Sequence, residues 1–377
     1  MIDSATLLLI LFAAVTASLI SIKAGISVAI IEILLGILLG NFLGVQGDQH
    51  HWLAFLAGLG SVILTFLAGA EINIDVMKRN WKANVSIGVL SFLVPFTISL
   101  LLCHFVVGWT WTSSILAGVV LSDTSVAVVY VVLVETGACR TGTGSIILSS
   151  CFVTNLSTAI ALSLLFTEPS WYLLALVLAM IASIFLVPKL LHYMLARVEG
   201  KSGQPEVKLL LFLIVGVGAV AELAGVVAVL PAYVLGIATA RVYAQNKDTL
   251  SKTRTLALSF LTPFFHINAG LNVSLTAVAG GLGIVLLLFG GKIASKALGV
   301  LPMARRLVKK DTAYITLLMS TGLTFGIISA QYGLTKGLID AQQFSVLATV
   351  VILTAIVPTI IAQRWFDPQG GGVNGGH

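Results

Sequence analysis

Apolar runs close to the length needed to cross a bilayer recur from one end of this sequence to the other. A helix of about 20 apolar residues spans the hydrocarbon core. Helices and closed barrels are the only structures that satisfy their own backbone groups there. Thirteen candidate spans follow, at roughly 5–21, 26–44, 53–70, 84–107, 113–135, 144–166, 171–194, 208–225, 227–243, 255–272, 276–302, 312–331 and 341–363. With 58% hydrophobic and only 10% charged residues, little chain is left over for a soluble domain, and a soluble enzyme is excluded. The expectation is an all-α integral membrane protein with a single transmembrane domain over 1–366. The eighth and ninth spans are short and run together through "AGVVAVLPA". The Gly-rich tail at 367–377 has no means of burying apolar surface and is expected to be disordered.

The net charge of +6 is a topology signal rather than a nucleic-acid surface, and no nucleic-acid partner is expected. Lys23, the Lys78/Arg79/Lys82 group, Arg140, Lys189, Arg197, Lys201, Lys208, Arg241, Lys247, Lys252, Arg254, Arg305, Arg306, Lys309, Lys310 and Arg364 fall at alternate connections, while the opposite connections hold only Lys336. The pattern places the N-terminus outside and the C-terminus in the cytoplasm of a prokaryotic-type inner or plasma membrane. The first span lacks a basic leader and a cleavage site and is read as retained. Cys103, Cys139 and Cys151 are odd in number and widely spaced, which argues for packing rather than a disulfide or metal motif.

Two spans interrupt themselves in the same way. The fifth, "AGVVLSDTSVAVVYVVLVETGACRTG", breaks at Ser122, Asp123, Thr124 and Ser125; the twelfth, "YITLLMSTGLTFGIISAQYGLTKG", breaks at Ser320, Thr321 and Gly322. They lie an odd number of spans apart and so enter from opposite sides. That is the pattern of an inverted repeat whose two broken helices cross at the midplane and bind ions between half-helix ends. The plainer reading is that small hydroxyl residues let helices pack closely.

Ionisable groups inside spans are costly, about 2.5 to 3.5 kcal/mol each on insertion scales. Glu32 in the second span and Glu222 in the eighth suit structural or interface roles. Lys292 and Lys296 share a helix face; Lys292 needs a buried partner and reads as a site lysine, whereas Lys296 is nearer the end and can snorkel. Asp123 either offsets a half-helix N-terminus or coordinates a cation. His266 in "TPFFHINAGLN" reads as a packing histidine, with pH sensing as the alternative. No zinc, haem, phosphate-loop or nucleophile–base pattern is present, so neither cofactor nor resident metal is expected.

The stretches "LTFLAGAEI", "LSDTSVAVVYVVLVETG", "CFVTNLSTAIAL", "LPAYVLGI", "LTPFFHINAGLNVSL" and "LLMSTGLTFGIISAQYGL" resemble, in order, the Kef-like branch of the monovalent cation:proton antiporters. The resemblance implies the sodium/proton antiporter fold of about thirteen helices. It further implies a core bundle at about 84–166 and 276–363, a dimerisation bundle at about 5–70 and 208–272, and a linker helix at about 171–194. A homodimer follows, exchanging sodium or potassium ions for protons by an elevator-type movement across the lipid bilayer. In relatives the lysine matching Lys292 lies close to the site.

One departure bears on the mechanism. Relatives carry an aspartate at the position of Asn155, after a polar residue such as Thr154. Antiport requires a group that takes either a cation or a proton, and an amide offers a carbonyl oxygen but exchanges no proton. Three possibilities stand: Asp123 has taken over the carboxylate role, with Thr154, Asn155, Thr124 and Ser125 as neutral oxygen ligands and Lys292 compensating charge; Asn155 is a neutralised position that mimics the protonated state and leaves the chain inactive; or the protein is a non-transporting or channel-like membrane protein that keeps the fold.

Overall fold

The computed structural model describes residues 4–24, 27–45, 51–72, 74–138, 141–166, 171–198, 205–224 and 228–366. The tail at 367–377, Cys139, Arg140 and Lys201 lie outside them, as does part of the join between the eighth and ninth spans. Every regular element among the described residues is helical. In chain order these are α1 (Ser4–Ala24), α2 (Val28–Leu43), α3 (His51–Ala70), α4 (Ile74–Arg79), α5 (Trp81–Leu101), α6 (Trp111–Ser122), α7 (Val126–Glu135), α8 (Gly142–Leu165) and α9 (Trp171–Val198). They continue as α10 (Pro205–Leu223), α11 (Val229–Gln245), α12 (Lys247–Leu256), α13 (Thr262–Leu271), α14 (Leu275–Gly280), α15 (Leu282–Leu307), α16 (Thr312–Met319), α17 (Thr324–Thr335) and α18 (Ala341–Trp365). Short π-helical turns extend α5 over Leu102–Val106 and join α12 to α13 over Ala257–Leu261.

Among the described residues, nine helical stretches are long and apolar enough to cross a membrane, fewer than the thirteen candidates. The differences have local causes. At 16 and 17 residues, α2 and α11 are short; α10 carries Glu206, Lys208 and Glu222; and the tenth candidate is interrupted by a π turn. The eleventh candidate begins with a separate turn, α14, and its long helix α15 runs on to Leu307.

Helix starts follow the sequence chemistry. The Thr110 hydroxyl accepts from the Ser113 amide at the start of α6, and Thr141 accepts from the Gly144 amide at the start of α8. Asp340 and Gln343 cap α18 reciprocally.

The helices pack in two groups. In one, α2 lies on α13, α3 lies on α11 and α13, α1 on α2 and α13, and α9 on α10 and α11. In the other, α5 contacts α6, α8 and α15; α6 and α18 both pack on α17; and α15 runs along α16 and α18. The side of α9 turned away from the protein carries Trp171, Tyr172, Phe185 and Leu186, all exposed, as expected of a lipid-facing surface. Between the groups, the Tyr233 hydroxyl of α11 donates to the Phe152 carbonyl of α8 at 3.0 Å, and its ring meets Phe325 edge-on.

Within each group the backbones approach closely at glycines. Gly36 of α2 faces Gly270 of α13, and Gly69 of α3 faces Gly236 of α11; a methyl group at any of the four meets the carbonyl oxygen of the opposing helix. In the second group, Gly88 of α5 admits Val153 of α8, and Gly299 of α15 lies against the Leu90 carbonyl.

Gly270→Ala and Gly236→Ala should therefore each destabilise the first group by about 1–3 kcal/mol, the usual cost of forcing atoms into a packed interface. Thermal unfolding in detergent is the check, with Gly58→Ala as control because open space surrounds that position. Equal melting of all three variants would contradict the close-approach geometry.

Candidate ion-binding site

Both interrupted spans are broken helices. α6 ends at Ser122, Asp123 is extended (φ −62°, ψ 164°), and α7 resumes at Val126. α16 ends at Met319, and α17 starts at Thr324 after Leu323 at φ −160°, ψ −75°. The pair is antiparallel. Ser113 near the start of α6 donates to the Leu338 carbonyl just beyond α17, and Thr136 just beyond α7 bonds Tyr314 near the start of α16. The breaks meet in the middle, where the Ser125 amide donates to the Thr321 carbonyl at 3.2 Å and the Thr124 hydroxyl donates to the Met319 carbonyl at 3.0 Å. Four helix ends thus converge inside the protein, where buried amides and carbonyls left without partners are costly.

Asp123 answers one of these ends. Its Oδ2 accepts from the amides of Leu323 and Gly326 at the start of α17, at 3.2 and 2.7 Å. Its Oδ1 accepts from Lys292 Nζ at 3.2 Å, and neither side chain is exposed. The carboxylate therefore offsets the positive end of the opposite broken helix while pairing with a buried ammonium. Gly322 and Gly326 make the nest: a methyl group on Gly322 would occupy the place of the Asp123 oxygen and the Lys292 nitrogen.

Lys296 does not snorkel. Its side chain is fully buried, and its three N–H groups have an acceptor each: the Ser122 carbonyl at 2.8 Å, the Thr124 hydroxyl at 2.8 Å and the Ser91 hydroxyl of α5 at 2.9 Å. One helical turn of α15 separates it from Lys292, so a second lysine sits at the carbonyl end of α6, where the helix dipole is negative. The expectation of an exposed head failed because α15 continues to Leu307, which places Lys296 well inside the helix.

The remaining break residues are structural. Ser122, Ser320 and Thr321 donate to the carbonyls of Val119, Thr316 and Leu318 on their own helices. The Ser125 hydroxyl accepts from the Val128 amide at the start of α7.

In the sixth span, Thr154 turns away from the crossing and donates to the carbonyls of Gly88 and Ser150. Ser157 and Thr158 bond back to Val153 and Thr154. Cys151 is buried with its sulfur 3.6 Å from that of Met319, and Cys103 is buried as well. Asn155 differs from its neighbours: its buried carbonyl oxygen has no hydrogen-bond partner among the described residues. A cavity of about 1520 Å³ between the two helix groups reaches Asn155, Thr324 and Phe325 at its inner end and Arg241 and Arg254 at its rim. It opens on the face that bears the basic connections. Asp123 does not line it.

The structure thus brings Asp123, Thr124, Ser125 and Lys292 into one cluster at the crossing and leaves Asn155 on the cavity beside it, with Thr154 directed elsewhere. Sequence reasoning missed Lys296 as a member. Its i, i+4 spacing from Lys292 was the available signal.

The profile of the family described as "Sodium/hydrogen exchanger, transmembrane" matches residues 8–367. The chain is 25% identical over 346 residues to a probable Na(+)/H(+) antiporter 3 of Methanocaldococcus jannaschii, covering 88% of each chain. It is 22% identical over 362 residues to the Na(+)/H(+)-K(+) antiporter GerN of Bacillus cereus, covering 93% of this chain and 92% of that one. Among solved structures, the sodium proton antiporter MjNhaP1 from Methanocaldococcus jannaschii superposes with a TM-score of 0.72 at 17% identity, over 95% of this chain and 96% of that chain.

Removing one member of a buried ion pair strands the other, at a cost of about 3–5 kcal/mol. Asp123→Asn and Lys292→Met should each lower stability by about that much, and the double variant should lose less than the sum of the two. A double-mutant cycle in thermal or denaturant unfolding measures the coupling; additive losses would mean that the two groups do not interact.

Proposed function

The chain belongs to the sodium/hydrogen exchanger family, and from that premise we propose that it is a secondary antiporter, exchanging a monovalent cation, sodium or potassium, for protons. The observation that carries the proposal is the fully buried Asp123–Lys292 pair held at the crossing of two broken helices. Exchange needs one anionic group for which cation and proton compete. Asp123 is the only acid at the crossing among the described residues, and its Oδ1 has a partner that can be displaced. A cation arriving there replaces Lys292 and finds hard oxygen ligands nearby in the hydroxyls of Thr124 and Ser125 and the carbonyl oxygen of Asn155. A proton on Asp123 neutralises the same carboxylate and releases the cation. Lys296 keeps the α6 end compensated throughout.

The cavity supports the access half of the cycle. It leads from the basic face to Asn155, so this conformation is inward-facing if the basic connections are cytoplasmic, with the N-terminus outside and the C-terminus inside. In the elevator reading, the group containing α5–α8 and α15–α18 carries the site past the other group, which forms the interface of a homodimer. The side-chain-mediated contact between the groups favours such a movement.

A second reading has its own support. Asn155, not Asp123, faces the cavity, and its carbonyl oxygen is unpartnered. An aspartate there would be a solvent-reachable titrating group, so Asn155 as it stands describes an antiporter locked in the neutral state.

Reconstituted in liposomes and driven by a pH gradient, the chain should exchange sodium or potassium, and Asp123→Asn should lower the rate at least about tenfold. Full activity in Asp123→Asn removes that carboxylate from the mechanism. An inactive chain that Asn155→Asp restores establishes the second reading, and inactivity in both sequences points to a protein that keeps the fold without the transport.

A further inference from the structure

We infer that Glu32 and His266 form a second proton-binding site, with His266 lining the cavity that also reaches Asn155, in which the imidazole Nε2 takes up the proton. His266 of α13 and Glu32 of α2 are 4% and 2% exposed, and Nδ1 lies 2.7 Å from Glu32 Oε2. With Glu32 as the carboxylate, which has no proton to give, the bond is Nδ1–H donating to Glu32, and the lone pair of the neutral ring lies on Nε2. That nitrogen is buried and has no hydrogen-bond partner among the described residues, while the side chain lines the cavity. An imidazole oriented by a carboxylate and carrying a free basic nitrogen is built to accept a proton, and a purely packing histidine would have both nitrogens satisfied.

The pair is rigidly placed. α2 and α13 are pressed together at Gly36 and Gly270, one turn from Glu32 and His266 respectively. The other titratable or charged groups around the cavity are Glu71 beyond α3, Asp75 of α4, Tyr130 of α7, Arg241 and Tyr243 of α11 and Arg254 of α12. α8 and α17 contribute only uncharged groups to it, among them Asn155 and Thr324. Lys23 at the end of α1 and His51 at the start of α3, the two other helices packed on α13, are exposed.

Protonation changes the pair from a net charge of −1 to zero. Above the titration the cavity holds one more negative charge and draws a cation toward Asn155; below it that attraction is lost. This consequence rests on the transport reading, whereas the site itself rests on the geometry alone.

Nitrogen-15 NMR of histidine-labelled protein in lipid nanodiscs tests the site. Absence of one resonance pair in His266→Gln identifies His266; Glu32→Asp, which perturbs only that pair, identifies it independently should the glutamine variant not fold. The neutral ring should carry its proton on Nδ1, and acidification should protonate Nε2. In Glu32→Gln the preference for Nδ1–H should be lost. A proton on Nε2 in the neutral ring, or a resonance that does not move on acidification, overturns the proposal. In liposomes, the apparent cation affinity from the cavity side should fall more steeply with acidification in the native chain than in the Glu32→Gln/His266→Gln double variant; equal slopes refute the link to the cavity. A chain that exchanges nothing overturns the transport reading alone, since the NMR titration decides the site.

Discussion

Two helices that break at the same depth leave amides and carbonyls without partners in a medium that supplies none, and the centre of this protein is arranged around that deficit. The negative end of α6 is met by Lys296, the positive end of α17 by Asp123, and Thr124 and Ser125 stitch the breaks to each other. Lys292 then balances Asp123. Each of these side chains is met by a helix end or by another charge. That pairing is what allows Asp123, Lys292 and Lys296 to be fully buried.

Much of this was legible in the sequence, and for identifiable reasons. The Ser/Thr/Gly interruptions of the fifth and twelfth spans stand out because a span otherwise has no use for such residues in register, and their antiparallel crossing followed from the parity of the spans between them. The membrane class followed from the length of the apolar runs. The role of Lys296 was hidden because a helix boundary decides whether a lysine head reaches water, and α15 ends later than the apolar run suggested. Thr154 was grouped with Asn155 by adjacency, yet on a helix adjacent residues point about 100° apart, and the two face different neighbours.

The pairing of Glu32 with His266 was invisible for a different reason. Each residue alone is unremarkable in an interface, and more than two hundred positions separate them. Only the close approach of α2 and α13, set by two glycines, turns two isolated polar residues into one unit. The number of helices was likewise beyond sequence alone, since short or charge-bearing segments such as α2, α10 and α11 pack as helices without being long or apolar enough to be counted by themselves.

The glycine contacts divide the molecule mechanically. Among the described residues, each close backbone approach lies within one helix group or within the other, and none bridges them. Across the boundary run side-chain contacts, such as Tyr233 with Phe152 and Phe325, and the Arg254 guanidinium 6.0 Å from the Tyr130 ring while Glu71 holds it from behind at 3.6 Å. Interlocked backbones resist shear as gear teeth do, whereas flexible side chains can exchange partners one at a time. The boundary between the groups is therefore carried by side chains, and Arg254 spans it at the cavity, between Glu71 and Tyr130.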